Sequence, residues 1–301
     1  MKSYKRILLF LLSVLALNCL ISPWMAALWN LILDAVPEWR SYQQPFSRIF
    51  TRLYMIMGIV LFFFCRPLLK IESFSELGLT REPHWWRSIS LGFIIACVSF
   101  AAILMTMTFA DVFTPGFRRS VSTMLGRVFA GLMTGLTVGF LEEIFFRGMI
   151  FKGLMADTKP ATAFLLANFF YAAIHFVKPA EKVPLSGIEP LAGFRHLISS
   201  FAPLLDPAEI FPGVIGLFLI GVALSYAFSR TGSLYLSIGL HAGWVFAVKT
   251  FELFGRAPRR DLGWIFGASN PKIVSGVATW IGVLIVLAVI HWLTRKPKPD
   301  R

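Results

Sequence analysis

An all-α polytopic bundle of about eight membrane-spanning helices is predicted for this chain by three observations. Residues are 56% hydrophobic and only 15% charged, against about 45–50% and about 25% in soluble domains. Apolar runs of helical length recur from one end of the 301 residues to the other. The remaining charge is concentrated between those runs, as a bilayer requires.

The runs are Ile7–Ile21, Ile49–Phe64, Ile89–Ala110, Leu125–Phe146, Ala161–Val177, Ile210–Phe228, Leu234–Phe251 and Ile273–Leu293. A span needs about 20 residues, so the first two are expected to extend or tilt. Lys2, Lys5 and Arg6 precede the first run, as they would in a signal peptide. The bulky stretch Pro23–Trp29 follows it instead of a small-residue cleavage site. An uncleaved helix is therefore expected, passing into a separate interfacial segment that ends near Trp39. The organisation reads as N-terminal membrane helices (1–120), a core (121–255), and a C-terminal helix with a basic tail (256–301). The loop 178–208 is the longest connection.

Net charge is +13. The basic residues sit in loops on both faces and form no single stripe, which fits anionic lipid headgroups and argues against nucleic acid as a partner. The basic N-terminus and the tail Arg295–Arg301 favour both termini inside. Cys19, Cys65 and Cys97 share no metal-site or disulfide spacing and read as small apolar fillers.

Chemistry is concentrated in three places. The segment from Val128 to Leu141 is uncharged, and Glu142, Glu143 and Arg147 follow it directly. Ionisable groups at membrane depth cost about 2.5–3.5 kcal/mol each, so they mark function by default. Gly131, Gly135 and Gly139 recur at spacing four, a small-residue ridge on which two helices can close. Glu142 and Glu143 continue that ridge, so both should face the bundle interior. Glu143 and Arg147 are spaced to meet on one helix face, while Glu142 is turned about 100° away and kept for another partner. On the next apolar run, Asn168, Tyr171 and His175 form one polar stripe. On the seventh, Ser237 and His241 share a face. Two carboxylates and two histidines on three helices suit activation of a water for attack on a carbonyl. Buried Glu and His also mark proton relays, so a proton-coupled transporter is an alternative; the intramembrane charges lie in one stretch of chain, without the inverted repeat a transporter would show.

These elements, Glu142-Glu143-x-x-x-Arg147, Tyr171-x-x-x-His175 and Gly232-Ser233-Leu234 through His241-Ala242-Gly243-Trp244, resemble the CPBP family. These are the CAAX-protease and bacteriocin-processing (Abi) intramembrane endopeptidases, and the likeness runs from Leu125 to Phe251. It implies a peptidase of the bacterial inner membrane, glutamic or metallo in type, acting on a peptide or membrane-anchored protein. It makes Glu142 the base, His175 the residue that positions the water, Glu143 and Arg147 a supporting pair, and His241 the holder of the oxyanion. No cofactor is required on this reading. If a zinc ion were present, Glu142, His175 and His241 would be its ligands, although no His-Glu-x-x-His helix occurs. The chain departs from the family pattern at Tyr171, where Phe is usual, and at Val245, where Asn or Asp is usual. Asn168 or the Trp244 indole is then expected to replace the missing donor; without a replacement, a non-catalytic immunity or scaffold protein of the same fold is the rival. His84, His196 and His291 stand outside these motifs and read as interfacial or loop residues.

Overall fold

The computed structural model describes residues 2–117, 119–178, 189–257, 262–267 and 273–295. The basic tail beyond Arg295, and the part of the long loop at 179–188, lie outside the described residues. The fold is an all-α membrane bundle. Its helices are α1 (Ser3–Ala35), α2 (Phe46–Leu69), α3 (Trp85–Phe109), α4 (Val121–Glu143), α5 (Lys152–Asp157), α6 (Pro160–Ile174), α7 (Ala192–Ser199), α8 (Pro207–Thr231), α9 (Tyr235–Thr250), α10 (Gly263–Phe266) and α11 (Val277–Leu293). A π-helical segment, Ile144–Phe151, joins α4 to α5 without a break. Two residue pairs, β1 (Thr114–Pro115) and β2 (Gly255–Arg256), form an antiparallel ladder. Each of the eight expected spans coincides with a helix. Five helical stretches are long and apolar enough to cross a membrane: α1, α2, α3, α4 through α5, and α8. The helices α6, α9 and α11 are shorter, at 15, 16 and 17 residues. The chain is an integral membrane protein.

The chain divides into two compact units, Met1–Glu72 with Ala173–Pro207, and Ser73–Ala172 with Ala208–Arg301. In the first, α1 differs from expectation. It runs unbroken for 33 residues through Pro23, about 50 Å at 1.5 Å per residue, so no separate interfacial segment begins there. Only Pro37–Tyr42 forms a distinct turn, as a 3-10 helix. Proline in a helix removes one hydrogen bond to the carbonyl four residues back, which here is Cys19. Gly193 of α7 packs directly on that carbonyl. The side chain of His196, one turn on, enters between Phe46 and Phe50 of α2, with ring centroids 5.3 and 4.7 Å away.

In the second unit, α9 is clasped between α3 and α4. Glycines on all three helices make this possible. A Cβ on Gly135 would meet the Ala242 carbonyl at 2.5 Å, and one on Gly139 would meet the Ala242 amide at 2.9 Å. On the opposite side, Gly239 and Gly243 of α9 lie against the Ile89 and Phe93 carbonyls of α3. The spacing-four ridge is thus the α4 face of a close helix contact, as its sequence predicts. The start of α9 is fixed by two turns: Gly232 ends α8 in the left-handed region, at φ 72°, and Leu234 donates its amide to the carbonyl of Gly78, itself at φ 93°. Tyr235 adds a hydroxyl bond to the Thr80 carbonyl at 2.7 Å.

Candidate active site

The antiparallel packing of α4 on α9 brings the end of the glycine ridge opposite His241. Glu143 is fully buried. Its Oε1 accepts from Arg147 Nη1 at 2.8 Å and lies 2.8 Å from His241 Nδ1. The predicted pair at spacing four is present. Its link to the histidine was not readable in the sequence, since 98 positions separate the two residues.

Arg147, 1% exposed, is held on three sides. Beyond Glu143, its Nη2 donates to the Gly221 carbonyl of α8 at 3.1 Å. Its guanidinium carbon also stands 4.5 Å from the Tyr171 ring centroid. The π-helical winding after Glu143 carries this arginine. Such segments interrupt α-helices often at functional sites. Gly148 within it lies against Leu77, where a Cβ would meet the carbonyl at 2.8 Å, and Lys152 donates to the Glu76 carbonyl.

Glu142, turned away from Arg147, has a side chain about one-third exposed, and its Oε2 lies 3.7 Å from His241 Nε2. The imidazole therefore stands between two carboxylates. Tyr171 closes one side, its ring edge-on to His241 at 6.2 Å and to Phe146 at 5.0 Å.

The remaining expected residues are placed as follows. Asn168 is buried, and its amide joins α6 to α8: Oδ1 accepts from Ser225 Oγ and Nδ2 donates to the Phe164 carbonyl, both at 2.8 Å. The Trp244 indole donates to Ser99 Oγ of α3 at 3.1 Å. Both candidate donors are engaged in helix contacts. Val245 is half-buried. His175 lies in the turn just after α6, half-buried, and belongs to the first unit, whereas Glu142, Glu143, Arg147, Tyr171 and His241 belong to the second. Of the histidines outside the motifs, His291 binds the Tyr226 hydroxyl at 2.6 Å.

The donor set bears on zinc. Glu143 Oε1 is shared by Arg147 and His241 Nδ1, which leaves Glu142 and His241 Nε2 facing one another. Among the described residues, no three His, Cys, Asp or Glu side chains gather as a ligand set.

Residues 124–247 match the family model described as type II CAAX prenyl endopeptidase Rce1-like. No curated protein and no solved structure matches. The matched stretch runs from the first turn of α4 to the last of α9 and contains the whole of the Glu142–Glu143–Arg147–His241 cluster. The match is in keeping with the resemblance of the motifs to the CPBP family.

Proposed function

We propose that the chain is an intramembrane endopeptidase that hydrolyses a peptide bond of a membrane-anchored protein or peptide, with residues 121–255 as its catalytic core. The observation that carries this reading is the approach of Glu142 Oε2 to His241 Nε2, 3.7 Å apart, inside the matched stretch. That separation is too long for a direct hydrogen bond and sets the carboxylate beside the imidazole. Glu142 acts as general base. It takes a proton from the water as the water oxygen attacks the scissile carbonyl carbon, and returns it to the leaving amine when the carbon–nitrogen bond breaks. In the family that the motifs resemble, the histidine at the place of His175 positions the water. The enzyme works without a bound cofactor and sits in a bacterial inner membrane, with both termini inside.

Cleavage of lipidated and unlipidated peptides by the purified chain in liposomes tests this. Glu142→Gln keeps the shape and removes the proton acceptor. It should lower cleavage by about 10²–10⁴-fold while leaving the melting temperature unchanged, and a strong chelator should leave wild-type cleavage intact. Wild-type turnover in Glu142→Gln would remove Glu142 from the mechanism. Loss with chelator, restored by zinc, would bring in a metal.

One observation favours a second reading, a non-catalytic immunity or scaffold protein of the same fold. Val245 donates no hydrogen bond, and the Asn168 amide and Trp244 indole are bonded within helix contacts. A wild type silent on every peptide offered would decide for it.

A further inference from the structure

The first helix is longer than a bilayer is thick. α1 covers 33 residues, and a hydrocarbon core about 30 Å thick takes up about 20 of them at 1.5 Å each. Counted from Ile7, just after the basic Lys2, Lys5 and Arg6, the apolar layer ends near Ala26. Exposed Trp24, Trp39 and Tyr42 flank that level, as interfacial aromatic anchors do. The last turns of α1 therefore lie among lipid headgroups, and there the chain folds back. The 3-10 turn Pro37–Tyr42 packs beside the end of α1, and the two form an open cleft of about 760 Å³.

The cleft changes character along its length. Trp24 and Leu28 line its membrane end and expose apolar surface. Asp34, Arg40 and Gln43 line its outer end, with Asn30 and Leu31 between. Arg40 Nη2 and Asp34 Oδ1 are 4.0 Å apart, and both side chains are largely exposed. An exposed pair at that distance contributes little, so a ligand that offers each charge a closer partner can open it. The guanidinium fork suits a phosphate, and the carboxylate suits an ammonium that donates hydrogen bonds. These two groups leave the outer end without net charge, although the chain carries +13. An anionic headgroup would gain Arg40 and be repelled by Asp34.

We propose that this cleft binds one zwitterionic phospholipid with a primary ammonium, of the phosphatidylethanolamine class, in the leaflet opposite the N-terminus. Its phosphate lies on Arg40, its ammonium on Asp34, and one acyl chain runs along Leu28 and Trp24. The site stands apart from the catalytic reading and depends on none of its residues.

The full chain in nanodiscs containing equal amounts of phosphatidylethanolamine, phosphatidylcholine and phosphatidylglycerol, with identical acyl chains, tests this. Native mass spectrometry then counts the lipid retained per chain. The wild type should retain one lipid and favour phosphatidylethanolamine over each of the others by about two- to fivefold, the range of an exposed ion pair. Phosphatidylcholine offers the same phosphate, but its quaternary cation cannot donate to Asp34. Asp34→Asn should abolish the preference over phosphatidylcholine and raise phosphatidylglycerol, since Arg40 then acts alone. Arg40→Gln should lower retention of all three. The preference is a ratio within one sample, so it does not depend on how much protein stays folded. Wild-type retention that follows the nanodisc composition, or that favours phosphatidylglycerol, would overturn the proposal. So would a preference for phosphatidylethanolamine that survives Asp34→Asn.

Discussion

Gly139 of α4 and Ala242 of α9 lie so close that a Cβ on the glycine would meet the Ala242 amide nitrogen at 2.9 Å and the Ile238 carbonyl at 3.0 Å. Both obstacles are backbone, so neither can swing aside. One turn beyond this contact stand Glu143 and His241, 2.8 Å apart. The site exists because the helices close to this distance.

Gly139→Ala should therefore push α9 away and lengthen the Glu143–His241 bond. Overpacking of this kind costs about 1–3 kcal/mol, which outweighs the gain of about 1 kcal/mol from replacing glycine in a helix. The net effect is a lower melting temperature and reduced cleavage. Gly126→Ala is the control on the same helix. Nothing lies within 4 Å of a Cβ there, so stability should hold or rise slightly. Equal effects of the two substitutions in thermal unfolding would show that the ridge does not set the helix spacing.

Arg147 and Glu143 should behave as a buried unit. Breaking such a pair from one side costs about 3–5 kcal/mol, because the partner is left charged and unmatched. Glu143→Gln and Arg147→Met should each fall in that range in reversible unfolding, and the double substitution should cost less than the sum. Arg147→Lys should not rescue the single loss. An ammonium cannot hold Glu143, donate to the Gly221 carbonyl and lie over the Tyr171 ring at once, since it lacks the planar fork.

Much of this was legible in the sequence, for a local reason. Helical periodicity and the spacing-four relations of Gly131, Gly135, Gly139, Glu143 and Arg147 act within one helix, so they survive any packing. The Glu143–His241 bond depends instead on how far α9 slides along α4. That offset is set by where glycines on three helices meet, which the separate patterns do not encode. The continuation of α1 through Pro23 was hidden too. Proline reads as a break, but here the carbonyl it releases at Cys19 faces a glycine from a helix more than 170 positions later. Nothing in Ile144–Phe151 announces π winding. It accompanies an arginine that must reach Glu143, α6 and α8 together.

His196 gives a pH dependence outside the candidate site. It is 2% exposed, packed by the Phe46 and Phe50 rings, and its buried Nδ1 has no hydrogen-bond partner among the described residues. Burial lowers its pKa below the ordinary value near 6.5. The unfolded chain then takes up a proton at a higher pH than the folded one does. Its contribution to stability is whole above about pH 6.5 and falls as the pH drops toward the lowered folded value. The wild type should melt lower at pH 5.5 than at pH 7.5, and the protection of α7 amides against hydrogen exchange should fall. His196→Phe should flatten both trends. An unchanged pH slope in that variant would place the titrating group elsewhere.

Substitution at Val245 separates the endopeptidase reading from the non-catalytic one. If His241 had to donate to an oxyanion with help from position 245, the missing donor would cost about 10²–10³-fold in turnover, and Val245→Asn would restore it. If another group already serves the oxyanion, Val245→Asn has nothing to restore, and cleavage should stay within a few-fold of wild type. Asn168→Ala should act differently. The Asn168 amide ties α6 to α8 through Ser225 and the Phe164 carbonyl, so its loss should lower the melting temperature, with cleavage falling only as far as folded protein is lost. Ser225→Ala removes the same tie from the other side and should reproduce that fall in stability. Measured side by side, a large gain from Val245→Asn would put the oxyanion beside position 245 and His241. A large loss of cleavage in Asn168→Ala that Ser225→Ala does not share would make Asn168 the donor that replaces it.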